Sequence, residues 1–126
     1  MKILIVEDDP DSGEALMHLL ADFDYEVRLV MRPSLAEAAA CEFLPDVAIL
    51  DIGLPVIAGY ESLCTLRALP VLSGCRFIAV TAHGDVDLRK RSLEAGFEHH
   101  LTKPLRIPHL LRCLEELAKP PRAPLA

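Results

Sequence analysis

The chain alternates short apolar runs with helix-length amphipathic stretches five times, and this alternation restricts its fold more than any single residue does. The runs predict strands at Lys2–Val6, Tyr25–Val30, Asp46–Leu50, Cys75–Val80 and Glu98–Leu101. The stretches that follow predict helices at Pro10–Phe23, Pro33–Phe43, Gly59–Leu69, Asp85–Ala95 and Pro108–Ala118. Strands alternating with helices in this way imply an α/β fold, a doubly wound five-stranded parallel sheet with helices on both faces. A length of 126 residues suits one domain, placed at residues 1–118.

Strand character orders the sheet. The first, third and fourth runs are almost continuously apolar, as interior parallel strands are. The second, Glu26-Val27-Arg28-Leu29-Val30, alternates polar with apolar, and the fifth, Glu98-His99-His100-Leu101, is largely polar. Those two belong at the edges, which the flavodoxin-like order 2-1-3-4-5 provides.

Boundary signals accompany the pattern. Asp9 before Pro10 reads as an N-cap with proline at the first helical position. Leu16, Leu19, Leu20 and Phe23 form its apolar face, as Leu110, Leu111, Leu114 and Leu117 do for the last helix. Ser34-Leu35-Ala36-Glu37 reads as a capping box. Pro45 should close the second helix through its restriction of Leu44. Gly96 suits the position after the fourth helix. Ile107 before Pro108 leaves the last helix without a polar cap at its start.

Three carboxylates stand where apolar runs stop. Glu7 and Asp8 end Ile3-Leu4-Ile5-Val6, and Asp51 ends Val47-Ala48-Ile49-Leu50. Open α/β sheets bind ligands at the carboxyl ends of strands, at the point where strand order reverses, here between strands one and three. Like charges so close call for a hard cation, Mg²⁺ with Mn²⁺ as a substitute. Thr81 follows the fourth strand and Lys103-Pro104 the fifth. Acids for a cation, a central acid, a hydroxyl and an ammonium make a set suited to a phosphoryl group.

Four segments, Val6-Glu7-Asp8-Asp9, Asp51-Ile52-Gly53-Leu54-Pro55 with Gly59, Val80-Thr81-Ala82 and Thr102-Lys103-Pro104, resemble the receiver domain of two-component response regulators, including those joined to hybrid histidine kinases. The resemblance covers about residues 2–118. It implies Asp51 as phosphoacceptor, Asp8 as a direct Mg²⁺ ligand, Glu7 acting mainly through water, and the backbone carbonyl of Gly53 as a further ligand. Lys103 would pair with Asp51 and then with phosphoryl oxygens, and Thr81 would move toward them. Ala82 would keep the site open. The Lys103–Pro104 bond would be cis. A histidine kinase or histidine phosphotransfer domain would be the phosphoryl donor. The surface of the fourth helix, fifth strand and fifth helix would change on phosphorylation, with a homodimer through that face as one use.

The chain departs from the family pattern at the switch position, where His100 replaces Tyr or Phe. A ring that can charge near neutral pH implies weakened or pH-dependent switching. Gly53 and His83 occupy positions that tune dephosphorylation, and Gly53 brings no side chain to hold a water. Ala58 replaces a frequent Asp, a mild change. The alternative function is a receiver-like protein-binding module that works without phosphorylation. A phosphatase of the haloacid dehalogenase type would want Asp-x-Asp after the first strand, and a flavodoxin a hydroxyl- and glycine-rich loop; neither is present.

The remaining features have plainer readings. A net charge of −6 disfavours nucleic acid and anionic membranes as partners. No apolar run approaches the ~18 residues of a membrane span, and the amino terminus lacks a signal-peptide pattern, so a cytoplasmic protein is expected. Cys41, Cys64, Cys75 and Cys113 fit no zinc spacing and read as reduced thiols. His99 and His100 are consecutive in a strand and point to opposite faces, so they do not chelate one ion. Arg89-Lys90-Arg91 reads as a solvated helix face or a partner surface. The segment 119–126 reads as a Pro-rich tail or linker, leaving no room for a DNA-binding output domain.

Overall fold

The computed structural model describes residues 1–52, 56–82 and 86–118, with side chains described for all of these except 56–59, 86 and 87. The strands are β1 (Lys2–Val6), β2 (Glu26–Val30), β3 (Val47–Asp51), β4 (Arg76–Thr81) and β5 (His99–Thr102), and the helices α1 (Pro10–Asp22), α2 (Ala36–Phe43), α3 (Val56–Arg67), α4 (Val86–Ala95) and α5 (Ile107–Ala118). All neighbouring strands are parallel, in the order β2-β1-β3-β4-β5. The two strands of mixed polarity are the edges, as their composition requires.

The interior strands divide their apolar side chains between two cores by strict alternation. Leu4, Val6, Ala48, Leu50, Phe77 and Ala79 face one side, where they meet Ala36, Ala39 and Ala40 of α2 and Leu63 and Leu66 of α3. Ile3, Ile5, Val47, Ile49, Ile78 and Val80 face the other, against Leu20 of α1 and Leu110, Cys113 and Leu114 of α5. A shift of one residue in register would turn each set to the wrong face. The alanines of α2 allow it to lie close on the sheet. Helix α4 is held differently: among its described side chains Ser92 is the fully buried one, while Leu93 is 45% exposed.

Several expected boundaries shift for local reasons. The second helix is divided, with a 3₁₀ turn at Pro33–Leu35 preceding α2. The capping box is not formed: Leu35 is the N-cap of α2, and no side-chain cap bond is made at either start. Phe23 is the C-cap of α1, beyond its apolar face, and is 52% exposed. Asp9 does occupy the N-cap of α1, but its carboxylate takes the Ser12 hydroxyl at 2.6 Å instead of capping. Helix α3 starts at Val56 instead of Gly59, and a second 3₁₀ turn at Pro70–Leu72 follows it. Leu44 ends α2 in the left-handed region at φ 55°. Helix α5 begins at Ile107, with the carbonyl of Arg106 accepting the N–H of Leu110 at 3.0 Å.

Gly96 ends α4 at φ +120°, a backbone that residues with a Cβ avoid. The N–H of Gly96 reaches the Leu93 carbonyl and that of Phe97 the Ser92 carbonyl, a Schellman arrangement. The guanidinium of Arg67, in the last turn of α3, donates to the Ala95 carbonyl at 3.0 Å. Tyr60 and Ser92 bring their hydroxyls to 3.4 Å. Polar contacts thus help to fasten α4 to α3.

Candidate functional site

The site lies beyond the carboxyl ends of β1, β3, β4 and β5. Glu7 continues β1, its N–H bonded to the Val30 carbonyl at 3.0 Å. It is buried, at 7% exposure, and Asp8 beside it is exposed. Asp51 is the last residue of β3 and is half-buried. Thr81 ends β4 at 0% exposure. Lys103 follows β5, its N–H held by the Thr81 carbonyl at 2.8 Å, and the Lys103–Pro104 bond is cis. The cis bond agrees with the expectation from the family pattern.

Lys103 Nζ donates to Asp51 Oδ2 at 3.0 Å and to Glu7 Oε2 at 3.2 Å. The second oxygen of Glu7 accepts the N–H of Asp9 at 3.1 Å. Gly13 makes room for this arrangement, because a Cβ there would stand 2.9 Å from a Leu29 methyl and 3.4 Å from Glu7 Cγ. A cavity of about 50 Å³ lies beside the three charged residues, closed by Ser12, Leu16 and Leu105.

Electrostatics record the crowding. Burial pushes the Glu7 carboxyl up to about 7, and the adjacent Asp51 carboxylate adds to the effect. Burial acts to lower the Lys103 ammonium, but Asp51 and Glu7 override it and raise it above its ordinary value. Asp9 is lowered by its bond from Ser12, which fits a capping-end residue and leaves it out of the acid cluster.

Glu7, Asp8 and Asp51 each offer one oxygen, all within 4.8 Å of one another. Oxygens around octahedral Mg²⁺ stand about 2.9 Å apart when adjacent and about 4.2 Å when opposite, so this hard-donor set suits such an ion once the oxygens close onto it. Among the described residues it is the one such group of three. Of the residues singled out in the sequence, Glu7, Asp8, Asp51 and Lys103 therefore converge. Gly53 and His83 lie outside the described residues, as do Ala58's side chain and the tail at 119–126.

Register relates Thr81 to His100. Ala79 pairs with His100 and Thr81 with Thr102, so Thr81 and His100 lie on the same face of the sheet, one diagonal step apart. His100 is buried, at 6% exposure. His99 points the other way, toward Glu116 at 3.6 Å, so the two rings diverge as strand geometry requires. The sequence did not foretell that the N–H of Asp9 would hold Glu7, nor that Lys103 would bridge Glu7 as well as Asp51. Both depend on a loop path that periodicity does not encode.

The response regulator receiver domain model matches residues 3–115. An uncharacterised 14.6 kDa protein of Leptolyngbya boryana is 33% identical over 125 residues, covering 98% of this chain and 95% of that one. The phosphate regulon transcriptional regulatory protein PhoB of Rhizobium meliloti is 34% identical over 110 residues, covering 87% of this chain and 48% of its own length. The chain thus spans about half the length of the transcriptional regulators it matches. Among solved structures, the BeF₃-activated receiver domain of Klebsiella pneumoniae RstA superposes with a TM-score of 0.83 at 28% identity, covering 94% of this chain and 100% of that one. Chemotaxis protein CheY4 of Vibrio cholerae gives a TM-score of 0.83 at 26% identity, covering 92% and 97% of the two chains. With its strand order, its acid cluster and a family match over nearly its whole length, this chain belongs to the receiver domains of two-component response regulators.

Proposed function

We propose that Asp51 accepts a phosphoryl group from a phosphohistidine on a histidine kinase or histidine phosphotransfer domain. The observation that carries this reading is the bridge from Lys103 Nζ to Asp51 and Glu7, with an oxygen of Asp8 close to both acids. A carboxylate oxygen of Asp51 attacks phosphorus in line, the P–N bond breaks as the P–O bond forms, and the donor imidazole keeps the electron pair. Lys103 is already in place to hold an oxygen of the transferred group. Glu7, Asp8 and Asp51 would hold Mg²⁺, with Mn²⁺ as a substitute and the Gly53 carbonyl as a further donor. Bound there, the ion would supply positive charge for the phosphoryl oxygens.

Phosphorylation places new acceptor oxygens and negative charge beside the buried Thr81. A movement of Thr81 toward them changes the face it shares with His100, and through β5 the surface of α4 and α5. The test is incubation with Mg²⁺ and acetyl phosphate, read by intact-protein mass. One added phosphoryl group in the native protein and none in Asp51→Asn supports the reading. No addition to either protein, with no spectral response to beryllofluoride, overturns it and favours a phosphorylation-independent binding module.

A further inference from the structure

A groove of about 350 Å³ lies between the start of α2 and the middle of α3, on the face of the sheet away from α1 and α5. This volume falls within the roughly 300–1,000 Å³ of sites that hold small ligands. Ala36 and Leu66, both buried, and Pro33 give the groove apolar surface. Glu37 stands on its α2 wall and Glu61 on its α3 wall, both exposed. Among the described residues, neither glutamate makes an ion pair. The other described charged side chains of these two helices are engaged: Glu42 meets Arg28, and Arg67 donates to the Ala95 carbonyl. No cationic side chain is among the described residues that line the groove.

We propose that this groove docks a basic segment of a partner protein, with an arginine or lysine side chain lying between the two glutamates. A carboxylate on each wall selects a cation, and the apolar surface between them suits the methylene stem that carries it. A metal ion is a poorer occupant. A hard cation wants more oxygens than Glu37 and Glu61 supply, and neither belongs to the group of three acids that could share an ion. A nucleic-acid backbone is repelled by the same carboxylates. A second copy of the chain carries the same net charge of −6 and is repelled at long range. The groove is separate from α4, β5 and α5, and its use does not require phosphoryl transfer to Asp51.

The test uses the whole chain and a fluorescein-labelled ten-residue peptide of alternating Arg and Ala, followed by anisotropy at low and moderate salt. Saturable binding is expected, weaker at the higher salt and absent for the counterpart of alternating Glu and Ala. Glu37→Gln with Glu61→Gln should weaken it at least about fivefold. Glu14→Gln with Glu115→Gln removes the same charge at exposed positions on α1 and α5 and should leave affinity within about twofold. Thr65→Phe narrows the groove without altering charge and should also weaken binding. Amide shifts on titration should centre on residues 33–37 and 61–66. Equal losses in the two glutamate variants would overturn the proposal, as would shifts centred elsewhere, such as on Glu7, Asp8 and Asp51, or no saturable binding at millimolar protein. Self-association that the Glu37/Glu61 variant abolishes would assign the groove to a second copy and overturn it too.

Discussion

Lys103 and Asp51, 52 residues apart in the chain, bring Nζ and Oδ2 to 3.0 Å at the ends of two strands that are not neighbours. β4 lies between them, and the Lys103 N–H is pinned to its last carbonyl. The ammonium therefore reaches across a strand to the acid. Lys103→Met keeps most of the stem and removes the charge. Glu7 and Asp51 then face each other without a cation, so the metal-free protein should lose about 1–2 kcal/mol of stability near pH 8. Urea unfolding measures this. Phosphoryl acceptance from acetyl phosphate should fall at least about tenfold in the same variant. Full stability and full acceptance would remove Lys103 from the site.

Glu7 gives the apo protein a specific pH profile. Its carboxyl titrates near 4.5 when unfolded and near 7 when folded. Between these values the folded state binds more protons, so stability falls as pH rises, by at most about 1.4 kcal/mol per pH unit, and levels off above 7. Lys103, raised above 10.5, stays charged throughout this window and adds no slope there. Glu7→Gln should flatten the profile and leave the variant the more stable form near pH 8. Urea midpoints at several pH values between 5 and 8, without divalent metal, read this directly. Added Mg²⁺ should reduce the native protein's slope by favouring the ionised acid. A flat native profile would show that Glu7 is ionised throughout.

Much of this was legible because the relevant signals are local. Four-residue apolar runs ending in Glu7 and Asp51 mark interior strands, and the polarity of Glu26–Val30 and His99–His100 marks edges. Strand order follows from burial, and the order sets the acids side by side. Ser34 misled because the capping pattern is a short-range preference, and Pro33 instead starts a 3₁₀ turn that places Leu35 at the cap. Phe23 misled because the helical period ran one residue past the actual end. Arg67, Gly13 and the Asp9–Glu7 bond are tertiary relationships, in which each residue has an ordinary local reading and acquires its role only from what folds against it.

Gly96 and Arg67 are one such pair. A Cβ on Gly96 would stand 1.9 Å from Arg67 Nη1, so Gly96→Ala meets both an unfavourable backbone and a displaced guanidinium. The cost should be about 1–3 kcal/mol. Arg67→Ala loses only the bond to Ala95 and should cost about 1 kcal/mol. In the double variant Gly96→Ala should cost less than it does alone, since the guanidinium is no longer there to be moved. Denaturant midpoints of the four proteins close this cycle, and strict additivity would mean that the two residues act independently.

At the switch position His100 sets an ionisable ring where the family pattern has an uncharged aromatic one, and the ring is buried, at 6% exposure. A ring that carries charge is costly to bring out of water. A charge on the ring should therefore oppose the inward movement expected to follow Thr81. The beryllofluoride-induced amide shifts of α4, β5 and α5 should be smaller near pH 6 than near pH 8. In His100→Tyr the ring is uncharged throughout this range, and the shifts should be alike at both pH values. Asp51→Asn, which removes the acceptor, should show none at either. Identical pH profiles for the native protein and His100→Tyr would place the pH sensitivity elsewhere and leave His100 as a packing residue.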